Sequence, residues 1–105
     1  MKEQIEHILC AKVEHEHRWA TGRITYDFSG GILYENLQLL LVSIMHGMPC
    51  TISFDSYQST FVRDGILSTP RTIIVNGQQI LSEGISVSYI DQEVAEKSRR
   101  QDKYV

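Results

Sequence analysis

Residues 33 to 47 constrain this chain more than any other segment, because they carry its strongest helical pattern. Their apolar stripe recurs at helical spacing and comprises Leu33, Leu37, Leu40, Leu41 and Ile44. Gly47 can adopt the left-handed conformation that ends a helix, and Pro49 prevents its continuation. Leu39 and Val42 lie well away from the stripe, so the predicted helix is apolar on more than one side. Such a helix is either sandwiched between two layers or in contact with a partner.

The composition predicts one small domain built around this helix. The chain has 105 residues, of which 42% are apolar, and this is enough for one hydrophobic core. No repeat or linker divides it, so we predict a single domain over residues 1–105. The formal charge of −3 is ordinary for a chain of this size. It therefore predicts no nucleic-acid partner.

The apolar runs and the cysteines indicate a cellular setting. No apolar run is long enough for a membrane span or a signal segment. Cys10 and Cys50 lie far apart, with no partner at the spacing of a redox motif or a zinc site. We therefore expect no membrane partner, no disulfide and a reducing, cytoplasmic location.

Strands are predicted on both sides of the central helix. Residues 1 to 20 fit either a helix or a strand, and a strand is slightly favoured because Ala20-Thr21-Gly22 is a turn signal. This turn would fold residues 13 to 19 back on residues 23 to 28, which alternate between apolar and polar side chains. Residues 50 to 54 alternate in the same way.

Two further helices are predicted in the second half of the chain. Asp55-Ser56 can cap a short helix through Val62, which Gly65 would close. Ser88, followed three residues later by Asp91, resembles a capping box and predicts the start of a final helix that runs to about residue 100.

Between these helices lies the strongest hairpin signal of the chain. Residues 72 to 75 form a β-branched run, Asn76-Gly77 is a typical two-residue turn, and residues 78 to 81 form the return strand. From residue 23 onward the predicted order is strand, helix, strand, helix, strand, turn, strand, helix. With the stretch GILSTPRTIIVNG at residues 65 to 77, this order resembles the thioredoxin-like fold of the glutaredoxin and thioredoxin superfamily.

The resemblance covers about residues 23–100 and implies an α/β (α+β) fold with a mixed sheet flanked by helices. Residues 1–22 would add an N-terminal strand or helix, and strand 23 to 28 would lie beside strand 72 to 75. In this family a cis proline opens the third strand. Pro70 occupies that position here, and Thr69 would present its backbone to an extended peptide or a thiol substrate. The alternative is a different α+β fold, in which strand 23 to 28 is an edge strand beside residues 13 to 19.

The redox motif of that family is missing from this chain. Cys-x-x-Cys belongs between the first strand and the first helix, where the sequence reads Ser29-Gly30-Gly31-Ile32. Dithiol exchange needs two neighbouring sulfur atoms, so we predict no thioredoxin or glutaredoxin activity. We interpret Cys50 as a small buried hydrophobe, and we predict no catalytic residue and no cofactor.

A glycine-rich loop is the candidate binding site. The loop precedes a predicted helix, so its backbone N–H groups are available to an anion. The resemblance implies that the loop faces the proline turn, which would bring a positive charge at Arg71 close to it. The candidate ligand-binding residues are Ser29, Gly30, Gly31, Thr69, Pro70 and Arg71. The competing interpretation is a tight turn with a solvent-facing arginine.

Two histidines alternate with glutamates near the start of the chain. On a strand, His15 and His17 would share one face about 6 to 7 Å apart, whereas on a helix they would diverge. Zinc, nickel and copper sites usually need a third and a fourth ligand at interpretable spacing. Since none is evident, we predict no metal site.

Two functions follow from these observations. We favour a non-redox, thioredoxin-like binding or assembly module that forms a homodimer and binds a small anionic or peptide ligand. The dimer would form through the second apolar side of the helix or through an exposed hairpin strand. The alternative is a thiol-handling or other small enzyme whose site is the Ser29–Gly31 loop facing Pro70.

Overall fold

A computed structural model describes residues 1–54, 60–61 and 71–103, with residues 60–61 and 98–103 described by their backbone alone. The helices in this part of the chain are α1 (Lys2–Leu9), α2 (Tyr34–Met45) and α3 (Gln92–Lys103). The strands are β1 (His15–Arg18), β2 (Arg23–Phe28), β3 (Cys50–Phe54), β4 (Thr60–Phe61), β5 (Thr72–Val75), β6 (Gln78–Leu81) and β7 (Ile85–Ile90). The predicted α+β fold class is confirmed.

Five of these strands form one sheet in the order β1-β2-β7-β3-β4, and β5 pairs with β6 in a separate hairpin. Every described strand pair is antiparallel. The mixed sheet that the resemblance implied is therefore wrong for the described strands. The sheet differs from this prediction because β7 pairs with β2 at the position where residues 72 to 75 were expected.

The sheet has one apolar face and one polar face. On the apolar face Tyr26, Val87 and Ile52 lie opposite one another across three strands. They form one buried cluster with side chains of α1 and α2, namely Ile5, Leu9, Leu37, Leu40 and Ile44. On the other face, which we call the polar face, the Thr25 and Ser88 hydroxyl oxygens lie 2.9 Å apart. Alternation of side chains along each strand produces this division.

The two strongest predictions from the sequence are confirmed. The helix over residues 33 to 47 is α2, and Gly47 takes a positive φ of 119° just beyond its end. The Asn76-Gly77 turn has positive φ at both residues, as a type I′ turn requires. Residues 1 to 20 contain both a helix and a strand, the two alternatives predicted for this segment, because α1 is helical and β1 pairs with β2.

Two other predictions are wrong in the described residues. Ser88 does not start the final helix but lies in β7, because Ile85, Val87 and Tyr89 alternate as a half-buried strand. The helix cap is Asp91, whose carboxylate accepts the N–H of Glu93 at 3.1 Å. In the helix predicted through Val62, the two described residues instead form β4 beside β3, and the rest of that segment lies outside the described residues.

No helix in the described part of the chain has the length and apolar character needed to cross a membrane.

The tightest backbone contact occurs where the β1–β2 turn meets the start of α3. Gly22 has a φ of 94°, and its C=O accepts the N–H of Asp91 at 2.7 Å. A Cβ atom at this position would lie 2.7 Å from the Asp91 carbonyl oxygen and 2.8 Å from the Ala95 nitrogen. Only glycine therefore fits this junction.

We expect Gly22→Ala to lower the free energy of unfolding by about 3 kcal/mol, since it combines left-handed strain with backbone overlap. Urea denaturation monitored by circular dichroism measures this loss. Gly47→Ala is the matched control, because its φ is also positive but a Cβ there meets open space, so about 1 kcal/mol is expected. Equal losses in the two variants would contradict the close approach of α3.

Candidate functional site

The glycine-rich loop precedes α2, as expected, and ends two residues before its N-cap. Helix α2 begins at Tyr34 with Leu33 as its N-cap. The Gly31 N–H donates to the Leu81 carbonyl oxygen at 2.8 Å, and Gly31 has a φ of 100°. This backbone donor therefore pairs with β6 and is occupied within the fold.

The structure brings this loop and Arg71 to one segment of backbone. A Cβ atom on Gly30 would lie 3.3 Å from the carbonyl carbons of both Ser82 and Glu83. The Arg71 N–H donates to Glu83 Oε1 at 3.3 Å, and the Arg71 C=O accepts the Ser82 N–H at 3.1 Å. The loop and Arg71 thus both contact Ser82 and Glu83, and no contact between the loop and Arg71 themselves is described. Thr69 and Pro70 lie outside the described residues.

A buried glutamate, Glu83, adjoins two of these predicted ligands. Glu83 is buried, its carboxylate accepts the Arg71 N–H, and its backbone lies beside Gly30. This carboxylate is therefore part of the surroundings of Arg71, and the anion site there stays a prediction.

On its other side the loop lines an open cavity of about 330 Å³. The cation on that wall is Lys12, and Cys10 and Asn36 also contribute. Sequence reasoning missed these residues, because α1 had no assigned position relative to the loop. The signal that could have identified them is the apolar spacing of Ile5 and Leu9, which fixes α1 against α2.

The two cysteines occupy very different environments. The Cys50 side chain is buried and donates to Met1 Sδ at 3.7 Å. Burial raises the pKa of this thiol to about 11. Cys10 is exposed at the end of α1, in a left-handed conformation. The interpretation of Cys50 as a buried hydrophobe agrees with this geometry.

The histidines of β1 share one face of the sheet, as the strand alternative required. His15 lies opposite Asp27 and His17 lies opposite Thr25, both on the polar face. The His17 ring is 4.0 Å from the Trp19 ring. Among the described residues no group of three or more histidine, cysteine, aspartate or glutamate side chains is placed to hold a metal ion.

The outer edge of β5 has no strand partner among the described strands. Strand β6 lies between β5 and the backbone just before α2, where Leu81 donates to the Ile32 carbonyl oxygen and accepts from Gly31. Because Leu81 directs its N–H and C=O away from β5, the opposite residue Thr72 directs its own away from β6. Ile74, two residues further, follows the same alternation. Within the described chain no backbone group pairs with this edge.

The side chains of β5 are as exposed as its backbone. Ile73, Ile74 and Val75 are 49%, 69% and 41% exposed. Proteins usually protect such edges with charges, proline or bulges, as in β1, whose four residues His15–Arg18 are all polar and exposed. Since β5 carries neither a charge nor a proline, its edge can accept another strand.

The outer side of α2 is a second exposed apolar surface. Leu39, Val42 and Met45 are 57%, 48% and 64% exposed. They recur every three residues and therefore form one stripe along the helix. The prediction that Leu39 and Val42 lie off the core-facing stripe is confirmed.

Comparison with known proteins places the chain in no family. Neither a protein-family model, nor a curated protein, nor a solved structure matches it. The thioredoxin-like resemblance therefore stays a prediction, and the function must be inferred from the geometry of the chain itself.

Thiol labelling tests the two cysteine environments. We expect a disulfide reagent to modify one thiol of the folded protein within seconds at pH 8, and the second only after unfolding, because about one in a thousand Cys50 thiols is ionised at that pH. Absorbance of the released thiolate measures both phases. Cys10→Ser is expected to remove only the fast phase. A fast phase that persists in Cys10→Ser would show that Cys50 is reactive.

Proposed function

We propose that this protein is a non-catalytic assembly module that forms a homodimer by pairing the β5 strands of two copies. The observation that supports the proposal best is the outer edge of β5, where the N–H and C=O groups of Thr72 and Ile74 have no backbone partner among the described residues. Addition of a strand satisfies such groups directly, and backbone hydrogen bonds then contribute to affinity.

The alternation along β5 determines how two copies would pair. In an antiparallel pair related by a two-fold axis at Ile73, Thr72 lies opposite Ile74 of the partner subunit. These are the residues whose backbone groups point outward, so each such pair exchanges both N–H···O bonds. A continuous sheet would then run in the order β6-β5-β5-β6.

The same register brings apolar side chains together. Ile73 lies opposite Ile73 of the partner subunit in a pair without mutual backbone bonds, where side chains approach most closely. Val75 lies on the same face of β5 as Ile73, and Ile74 on the other. Burial of these side chains is favourable in proportion to their apolar area.

A second copy suits this edge because the pairing is self-complementary. A two-fold axis repeats every donor–acceptor match, so one strand supplies both halves of the interface. An extended peptide could occupy the same edge, and that competing occupant is an outcome of the tests below. The α2 stripe is a different surface, and its variants distinguish the two interfaces.

The enzyme alternative has less support from the geometry. The Gly31 N–H is occupied by Leu81, and the Cys50 thiol is buried with a raised pKa. A thiol-handling enzyme needs an accessible, readily ionised sulfur with a resolving partner. Cys10 is exposed, but the Cys50 thiol is neither accessible nor readily ionised, so it does not meet the requirements of a resolving partner.

Removal of one edge donor tests the interface. Ile74→Pro deletes an N–H that the hairpin itself does not use, so the fold is retained while pairing weakens. We expect a wild-type mass of two chains by light scattering, and dimerisation weaker by roughly tenfold or more in Ile74→Pro. Ile74→Val is the matched control and should stay dimeric.

Leu39→Glu separates the two apolar surfaces. It is expected to keep the wild-type mass, because α2 is not part of the proposed interface. A monomeric wild type, or a dimer lost only in Leu39→Glu, would contradict pairing through β5. If the protein is a monomer that binds a synthetic peptide of residues 71–76 at this edge, the occupant of the edge is an extended peptide and not a second copy.

A disulfide at the axis tests the register itself. In a Cys10→Ser background, Ile73→Cys places two thiols opposite each other at a distance that a disulfide spans. We expect rapid oxidation to a covalent dimer on a non-reducing gel. Ile74→Cys in the same background is the control and should cross-link slowly, because it faces Thr72 of the partner subunit. Faster cross-linking of the control would show a shifted register.

A further inference from the structure

Away from β5, a row of side chains crosses the polar face at the β1–β2 turn. Trp19 lies opposite Arg23, since the Trp19 N–H donates to the Arg23 carbonyl oxygen at 2.9 Å. Arg23 in turn lies opposite Ile90 on β7. Opposite residues of antiparallel strands share a face, so an aromatic ring, a guanidinium and an apolar side chain are neighbours in this row.

The guanidinium of Arg23 is positioned by the tryptophan. Its Cζ atom lies 4.9 Å from the centroid of the Trp19 ring, within the range of a cation–π contact. The His17 ring lies against the same tryptophan. This stacking limits the orientations of a long side chain before any ligand arrives, which lowers the entropic cost of binding.

Arg23 differs from the neighbouring Arg18 in its partners. Arg18 donates to Glu16 at 2.9 Å in an exposed ion pair. Within the described part of the chain no carboxylate lies at ion-pair distance from Arg23. Because Arg23 is exposed, its fork of N–H donors is accessible to a planar carboxylate, which can accept two bonds.

A cavity of about 400 Å³ is lined in part by Arg23. Its apolar walls are Pro49 and Ile90, and its polar groups come from Thr51, Ser88 and Gln92. Few polar groups among apolar walls are typical of small-molecule sites, and the volume lies within their usual range. Arg23 is the one cation among the described residues that line it.

We infer that this cavity binds a small carboxylate that carries an apolar body, such as an aromatic acid. The carboxylate would accept two hydrogen bonds from Arg23, and the apolar body would contact Pro49 and Ile90. The hydroxyls of Thr51 and Ser88 would orient polar substituents. A single guanidinium matches a monoanion better than a phosphate dianion, which usually requires several donors or cations.

The test uses benzoate as the probe, with backbone amide shifts of Thr51, Ser88 and Ile90 as the main readout. Trp19 is the only tryptophan of the chain, so its fluorescence gives a second, local readout. We expect saturable shifts at these amides, an affinity at least tenfold lower in Arg23→Gln, and an affinity within twofold of wild type in Arg18→Gln. The two variants remove the same charge from exposed sites.

Two control ligands distinguish the contribution of the carboxylate from that of the apolar ring. Benzyl alcohol keeps the ring without the charge, and inorganic phosphate keeps the charge without the ring, so each should bind at least tenfold more weakly than benzoate. The inference is overturned if benzoate causes no saturable shift, if Arg23→Gln binds as tightly as wild type, or if either control binds as tightly as benzoate. Thermal unfolding of Arg23→Gln at the wild-type temperature verifies that its fold is intact.

Discussion

The rest of the structure depends on the pairing of β7 with two neighbours at once. β7 lies between β2 and β3 and is antiparallel to both. Its inward side chains Ile85 and Val87 are almost fully buried, so they connect the two halves of the core. Because β7 occupies this central position, the β5–β6 hairpin has no place between β2 and β3. The hairpin lies outside the sheet, and no other described strand pairs with the outer edge of β5.

The same pairing produces the polar face on which Arg23 lies. Side chains of β2, β7 and β3 alternate in step, so Thr25, Ser88 and Thr51 form one row while their neighbours enter the core. The Ser86 hydroxyl donates to the Asp27 carboxylate at 2.7 Å in the next row. The proposed assembly through β5 and the inferred ligand binding beside Arg23 thus involve different parts of the molecule, and either can be tested without the other.

Local signals in the sequence were accurate where one residue type permits one conformation. The Asn76-Gly77 turn and the end of α2 at Gly47 need positive φ, which few residues adopt, so both were predictable. The prediction that Ser88 starts the final helix was wrong, because a serine three residues before an aspartate is compatible with a strand as well as with a helix start. Ser88 adopts the strand conformation because β7 pairs with β2 on one side and with β3 on the other. No local sequence pattern indicates such distant partners. Glu83, buried beside Gly30, was missed for the same reason.

The sequence by itself determined the α+β class, the amphipathic α2 with its second apolar side, the hairpin and the absence of a cysteine pair at redox spacing. These follow from periodicity and turn chemistry, which act over a few residues. Only the tertiary structure decided the order of the strands, the use of the Gly31 N–H by β6, the outward direction of Thr72 and Ile74, and the neighbourhood of Arg23. Each of these depends on which distant strands pair, because the register between strands assigns every side chain and every backbone group to a face or an edge.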